Sequence, residues 1–221
     1  MARIFISDIK WSYILTYFGK GDSLFRYYQD KVIESVSSDF EGEIIELGGE
    51  KKYNTQRFFK NNTLTVSNIS RDYDAYIDVT QIPFENNTVD NYMMVSMLQH
   101  VDNPFQAINE VKRTLKPGGK VLLINAFTHP ICDEKDYWRF GEDAYHSFFE
   151  DGFDIEKVFY LGGKFSMMSN TLRRPIGNLK KRYFVYKTIG LFISLIGKLL
   201  DRQDMTPIGI GVLVKKRINP E

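Results

Sequence analysis

Apolar residues recur along this chain at two periods, and each change of period marks an element. Over residues 22–38, Leu24, Phe25, Tyr28, Val32 and Val36 fall three and four positions apart, the spacing of one helix face. Asp22 is placed to cap that helix and the serine-rich stretch 35–38 to close it. Residues 43–47 form instead a short apolar, β-branched run ending at Gly48 and Gly49, which predicts a buried strand entering a tight turn, with a helix to about Phe59 behind it. Residues 64–66, 75–79 and 90–95 predict three further strands. A polar loop at Asp102, Asn103 and Pro104 then opens an amphipathic helix over 105–115. That helix stops at Lys116-Pro117-Gly118-Gly119, and 120–125 is a strongly apolar strand. A helix over 142–150, capped near Gly141, turns Tyr145, Phe148 and Phe149 to the core. Runs 155–161 and 208–214 are placed as a closing pair at the sheet edge. Strands alternating with helices at this spacing predict a parallel α/β sheet that binds ligands at the carboxyl ends of its strands.

Composition narrows the class of protein. The 221 residues are 43% apolar and 26% charged, enough for one domain with a real core, and 29 Lys and Arg stand against 28 Asp and Glu. No overall field draws such a chain to nucleic acid, so no nucleic-acid partner is expected. One cysteine, Cys132, makes no internal disulfide, and no Cys/His cluster has metal spacing, so no metal is expected. The first 22 residues lack a signal-peptide pattern, and a cytoplasmic setting fits best. Phe and Tyr are abundant, at 17 and 13, which suits either a ring-built core or a ring-lined site.

The chemistry concentrates at strand ends. Glu46 sits one residue from a strand terminus with Gly48 and Gly49 in the turn, where small residues let a ligand approach the backbone and a carboxylate can meet a cation. The same residues also make an ordinary tight turn. They are not the G-x-G-x-x-G of dinucleotide enzymes, which argues against a nicotinamide-dependent oxidoreductase. Further along come DVTQIPF (78–84), Val89-Asp90 opening a strand, SMLQHVDNP (96–104) and EVKRTLKPGGKVLL (110–123). In order and spacing, from about 42 to 161, these resemble the class I S-adenosylmethionine-dependent methyltransferases. Within them, Glu50-Lys51-Lys52-Tyr53 and Asp136-Tyr137-Trp138-Arg139-Phe140 resemble a subgroup with a G-x-K-P-Y-like turn and an H-D-Y-W-R-F box, associated with bacterial cell-surface glycan biosynthesis.

The resemblance implies an α/β, Rossmann-like fold: a seven-stranded, mostly parallel sheet flanked by helices, with an antiparallel C-terminal edge. It implies one domain over 1–221, with 1–41 a helical extension, 42–161 the cofactor-binding core and 162–221 a C-terminal helix and closing strand. It implies S-adenosylmethionine as cofactor and methyl transfer to a small-molecule or glycan-type acceptor. Glu46, Gly48 and Gly49 match the motif that holds the methionine part. Asn68 stands where an acid usually takes the ribose hydroxyls. Asp78, with Val79, matches the acid that meets the adenine amino group, and Ser96 and Met97 line the pocket near the sulfonium. The chain departs from the family at three places: Glu50 and Lys52 replace the later glycines of the motif, Asn68 replaces an acid, and Lys135 replaces the histidine of the box. These departures keep open an alternative, a non-catalytic methyltransferase-like binding module.

For an acceptor that must lose a proton, His129 is the best-placed base and His146 the second, while His100 reads as a loop-fixing residue. Tyr137, Trp138 and Arg139 are the acceptor-binding candidates, rings for a sugar face and a guanidinium for a phosphate or carboxylate, with packing as the competing role. Beyond residue 161 the resemblance fades. Gly162, Gly163 and residues 170–175 read as loop, followed by a helix over 183–200. Its uncharged run, 188–197, is too short to span a bilayer. Two readings stay open for it, a helix buried on the fold or a helix on the inner membrane surface. Residues 173–221 carry 11 Lys and Arg against 3 acids, so the near-neutral whole joins an acidic body to a basic tail. Oligomeric state is not encoded in any of these patterns.

Overall fold

The computed structural model of the protein describes residues 1–10, 13, 23–69, 73–131, 134–172, 180–201 and 206–218. In chain order the elements are β1 (Ala2–Ile6), α1 (Leu24–Val36), β2 (Ile44–Leu47), β3 (Leu64–Asn68), β4 (Ala75–Tyr76), β5 (Val89–Val95), α2 (Pro104–Thr114), β6 (Leu115–Ala126), α3 (Glu142–Phe148), β7 (Phe153–Leu161), α4 (Lys164–Leu172), α5 (Lys180–Leu200) and β8 (Gly209–Lys216). One sheet runs β1-β7-β8-β6-β5-β2-β3-β4. All neighbours are parallel except β8, which is antiparallel to both β6 and β7.

Burial on both faces explains the continuous apolar runs of the central strands. In β5, Tyr92 and Met94 join one core with Val121 and Leu123 of β6 and with Ala107, Ile108 and Val111 of α2. Met93 and Val95 point the other way, joining Leu122, Ile124 and the α1 residues Leu24, Tyr28, Val32 and Ile33. The two faces follow from the two-residue side-chain period, and the pairing of Met93 with Leu122 sets the register. Helix α2 starts where Asn103 accepts a hydrogen bond from the Gln106 amide with Pro104 in the first turn, and it ends at Thr114; Gly118, at φ +83°, lies within the first turn-like residues of β6, where the pairing with β5 shifts register.

Several expectations need correction. The sheet has eight strands, because the segment expected to be only a helical extension also supplies β1. Its Phe5 stacks on Tyr160, with ring centroids 4.9 Å apart. The antiparallel strand is therefore interior, and the edge beyond it is parallel. Helix α1 is capped by Ser23, whose hydroxyl accepts from the Arg26 amide at 3.1 Å; Asp22 lies outside the described residues, as does Cys132. No α-helix follows Gly49. Two 3-10 turns, Lys51–Tyr53 and Thr55–Phe58, stand there, separated by Asn54 in the left-handed region (φ 45°, ψ 54°), which interrupts any longer helix. The strand expected over 75–79 is two residues long. Residues 170–172 are the last turn of α4 rather than loop, with Asn170 buried; 173–175 lie outside the described residues.

Helix α5 is only partly buried on the fold. Its narrow side packs on α4 through Ser194 and Gly190, where the Ser169 hydroxyl bonds the Gly190 carbonyl at 2.8 Å, while large apolar residues on its other side stay exposed. No helix among the described residues is long and apolar enough to cross a membrane.

Candidate functional site

Sheet order reverses between β2 and β5, since the chain runs outward from β2 through β3 to β4 and then returns to start β5 on the other side. Strand ends diverge at such a switch point and leave a crevice. A cavity of about 740 Å³ opens there, the size of a small-ligand site. Its walls bring together all eight cofactor candidates: Glu46, Gly48, Gly49, Asn68, Asp78, Val79, Ser96 and Met97. His129, Tyr137 and Arg139 line it as well, and Trp138 does not.

The strand-end wall is fixed by backbone. Gly48 has φ +68°, and a Cβ there would meet the Met97 side chain at 2.0 Å, so only glycine turns the chain at this point. The Gly49 amide donates to the Ser67 carbonyl at 3.0 Å, tying the turn to β3, and a Cβ on Gly49 would press on Glu46 and Val66. Glu46 itself is 4% exposed. One of its oxygens accepts from the Thr55 hydroxyl at 3.3 Å; the other, Oε2, is buried without a hydrogen-bond partner. Burial pushes its pKa up to about 7, against the opposing pull of the Thr55 hydroxyl and the Arg26 charge.

Asn68 lines the cavity and also braces it. Its side-chain amide donates to the Gly49 carbonyl at 3.0 Å, so it braces the glycine turn, a task an acid cannot perform. Asp78 spends one oxygen, Oδ1, on the Thr80 amide (2.9 Å) and hydroxyl (2.7 Å). The loop behind it is pinned by α2: Arg113 donates to the carbonyls of Ile82 and Phe84, and Glu110 accepts from the Ile82 amide. Ser96 ends β5 at φ +56°, a sparse conformation for a non-glycine residue, with its amide on the Ile124 carbonyl and its hydroxyl accepting from Gln29.

Two α1 residues were missed in the sequence. Gln29, 2% exposed, and Arg26 close the cavity from the helix side. Arg26 lies over the Tyr53 ring at 3.9 Å, and its Nη2 is buried without a hydrogen-bond partner. Gln29 stands four positions after Phe25 on the apolar face of α1, and a polar residue at such a position is the signal that identifies it.

Opposite the strand ends, residues 129–131 and 134–139 form a strap held by hydrogen bonds. The Tyr137 amide donates to the Gln99 carbonyl at 2.9 Å, His100 Nδ1 bonds the Lys135 carbonyl, and Trp138 Nε1 donates to the Val101 carbonyl at 2.9 Å. His100 thus fixes a loop. Trp138 stacks on Phe140 outside the cavity, so its ring is not part of the cavity wall. Arg139 borders the cavity with its guanidinium engaged by the buried Asp136 and by the carbonyls of His129, Pro130 and Trp138. It anchors the strap instead of presenting an open clamp for a ligand. His129 donates from Nδ1 to the Pro130 carbonyl at 2.8 Å, a tautomer that makes Nε2 its basic nitrogen. His146 sits away from the cavity on α3, 3.7 Å from Glu142. Glu50 and Lys52, in place of the family glycines, pair with each other at the exposed rim.

A mixed sheet of this order, with an acid-and-glycine turn at its switch point, defines the Rossmann-like methyltransferase fold. Residues 23–123, just under half of the chain, match the protein-family model described as "Methyltransferase domain". An uncharacterized protein of Methanocaldococcus jannaschii is 30% identical over 132 residues, 53% of this chain and 57% of that protein. A demethylmenaquinone methyltransferase of Paenarthrobacter aurescens is 37% identical over 62 residues, 28% of this chain and 23% of that one. The chain therefore spans less than two thirds of these relatives. Among solved structures, a SAM-dependent methyltransferase from Archaeoglobus fulgidus superposes with a TM-score of 0.57 at 10% identity, over 94% of this chain and 100% of that one. The cyclase SpnF has a TM-score of 0.54 at 14% identity, over 86% and 82%. The domain match together with the methyltransferase neighbours indicates S-adenosylmethionine as the cofactor. The cavity fits that group: a buried carboxylate oxygen lacking a partner suits an ammonium, and the glycine turn leaves the backbone open to approach.

Proposed function

We propose that the protein transfers a methyl group from S-adenosylmethionine to a small-molecule acceptor held between the strand ends and the strap. One observation carries this reading: residues far apart in sequence, from Glu46 to Met97, converge on one cavity together with His129 and Tyr137. When bound, the cofactor supplies an electrophilic methyl on a sulfonium. Glu46 Oε2 would hold the cofactor's ammonium, which would favour the ionised carboxylate. The remaining oxygen of Asp78 would accept from the adenine amino group. Ser96 and Met97 would border the methyl, and His129 Nε2 would hold the proton given up by a hydroxyl acceptor, the demethylated cofactor being the leaving group. Alignment of the reactants supplies much of the rate. Within small molecules, a glycan-type acceptor is the narrower reading, supported by the half-exposed Tyr137 ring on the cavity wall, which offers a face for a sugar.

Calorimetry with S-adenosylmethionine and its demethylated product tests the cofactor step, with binding expected for both; no heat with either at millimolar concentration overturns the enzyme reading. His129→Ala is expected to lower turnover on a hydroxylated acceptor about 100-fold or more while leaving cofactor affinity within twofold. Equal loss of both assigns His129 to the fold. A second reading, a binding module without turnover, is favoured by the Glu50–Lys52 pair and the 3-10 turns in place of the glycines and helix of the family. Release of demethylated cofactor with any acceptor eliminates it.

A further inference from the structure

Helix α5 is turned inside out relative to an ordinary surface helix. On the side it presents to the fold, Gly190 and Ser194 meet Ser169 of α4, Leu191 and Leu195 pack partly buried against the core, and a Cβ on Gly197 would meet Phe165 at 2.9 Å. Beyond its last turn Asp201, 4% exposed, caps α4 by accepting from the amides of Phe165 and Ser166. The opposite side carries Val185, Ile189, Phe192, Ile196 and Leu199, all exposed, Phe192 at 61% and Leu199 at 65%. Their spacing of four, three, four and three keeps them on one stripe along a helix of 21 residues, about 30 Å long. A soluble helix buries such a stripe.

Charge identifies what covers it. The helix contains Lys180, Lys181, Arg182, Lys187 and Lys198 and no acid, and α4 adds Lys164 and no acid; of these, Lys198 is paired with Asp8 at 3.3 Å. We propose that α5 lies on the surface of a bilayer rich in anionic phospholipid, its apolar stripe in the acyl boundary and its basic N-terminal turns among the phosphates. An amphipathic helix with bulky apolar residues on one side and an excess of Lys and Arg has this interfacial chemistry. A second copy of the chain is a poorer occupant. Pairing two such stripes brings two acid-free basic helices together, with no carboxylate on either to offset the repulsion. The docking also reaches the cavity wall: the Ser166 hydroxyl of α4 bonds Tyr28 of α1 at 2.8 Å, and Arg26 and Gln29 of the same helix line the cavity. This inference concerns the helical hairpin and holds whether or not methyl transfer is confirmed.

Sedimentation of the full chain with vesicles tests it. One set is phosphatidylcholine alone, the other 70% phosphatidylcholine with 30% phosphatidylglycerol. The expected result is at least about tenfold tighter binding to the anionic vesicles, lost in high salt. The triple variant Phe192→Gln, Ile196→Gln, Leu199→Gln, chosen from exposed positions with a good helix former, is expected to abolish binding while keeping the melting temperature and cofactor binding of the parent. A second variant, Lys180→Gln, Lys181→Gln, Arg182→Gln, is expected to weaken binding and its salt dependence without touching the stripe. Recovery of the parent protein in the supernatant with both vesicle sets overturns the proposal. So does a parent that runs as a dimer in light scattering and becomes monomeric in the Phe192 triple variant, which assigns the stripe to a second copy.

Discussion

The two walls of the cavity are built on different principles. The strand-end wall, Glu46 to Gly49 with Asn68, Asp78 and Ser96, is positioned by strands buried on both faces, and its key groups are backbone conformations and one buried carboxylate. The strap has no regular secondary structure in its described residues, 129–131 and 134–139, and hangs on a few hydrogen bonds to the loop after β5 and on the Asp136–Arg139 pair. Changes on the first wall should therefore strike cofactor binding, and changes on the second should strike the acceptor step alone.

Gly48→Ala should separate the walls most sharply. It combines a positive φ with a collision against Met97, so cofactor affinity measured by calorimetry should fall by about 100-fold or more, with a lower melting temperature. Unchanged affinity would show that the turn can move and would break the contrast.

Glu46→Gln comes next. Loss of a charged hydrogen-bond partner should cost about 10- to 100-fold in cofactor affinity at pH 8. The pH dependence has a definite sign. Because the folded pKa lies near 7, above the ordinary 4.5, the folded protein binds the extra proton between these values. The contribution of Glu46 to stability is thus full below pH 4.5 and lost as pH rises through about 7. At pH 8 the glutamine variant without cofactor should be more stable than the parent, by up to roughly 3 kcal/mol in thermal unfolding. Cofactor affinity of the parent should rise between pH 6 and 8 as the carboxylate ionises, and that slope should vanish in the variant.

Asp136→Ala tests the other wall. Releasing Arg139 should loosen the strap and reduce turnover about tenfold, with cofactor affinity within twofold of the parent. An equal fall in cofactor affinity would mean that the strap also shapes the first wall. Asn68→Asp should have the smallest effect. It places a carboxylate against the Gly49 carbonyl in place of a donor, so affinity should drop a few-fold despite the closer match to the family pattern. A gain in affinity would remove the bracing role assigned to Asn68.

How much was legible in the sequence depended on the range of the interactions. The strand at 89–95 and the helix at 104–114 were visible because their apolar periods, the Asn103 cap and the proline-glycine stop are local signals. The glycine turn was visible as the punctuation after an apolar run, and Asp78 through the resemblance to the methyltransferases. The helix expected after Gly49 failed at Asn54, whose left-handed backbone carries no apolar signature. β1 was missed because five residues at a sheet edge have little pattern of their own and take their identity from pairing with β7, 155 positions away at Ala2 and Lys157. Arg139 looked like a ligand clamp because its partner Asp136, three residues back, reads as equally solvent-facing until the strap is folded.

The sequence by itself determined the α/β alternation and where the central strands fall along the chain, since these follow from local periodicity and turn chemistry, while the candidate residues at their carboxyl ends came from the resemblance to the methyltransferases. Tertiary structure alone decided which polar groups have partners. It left one oxygen of Glu46 buried without a hydrogen-bond partner, set Arg139 and Asn68 in bracing hydrogen bonds, and packed α5 by Gly190, Leu191, Ser194 and Leu195 with a stripe of large residues outward. Hydrogen bonds and burial are properties of the assembled neighbours, and residues distant in the chain supply them.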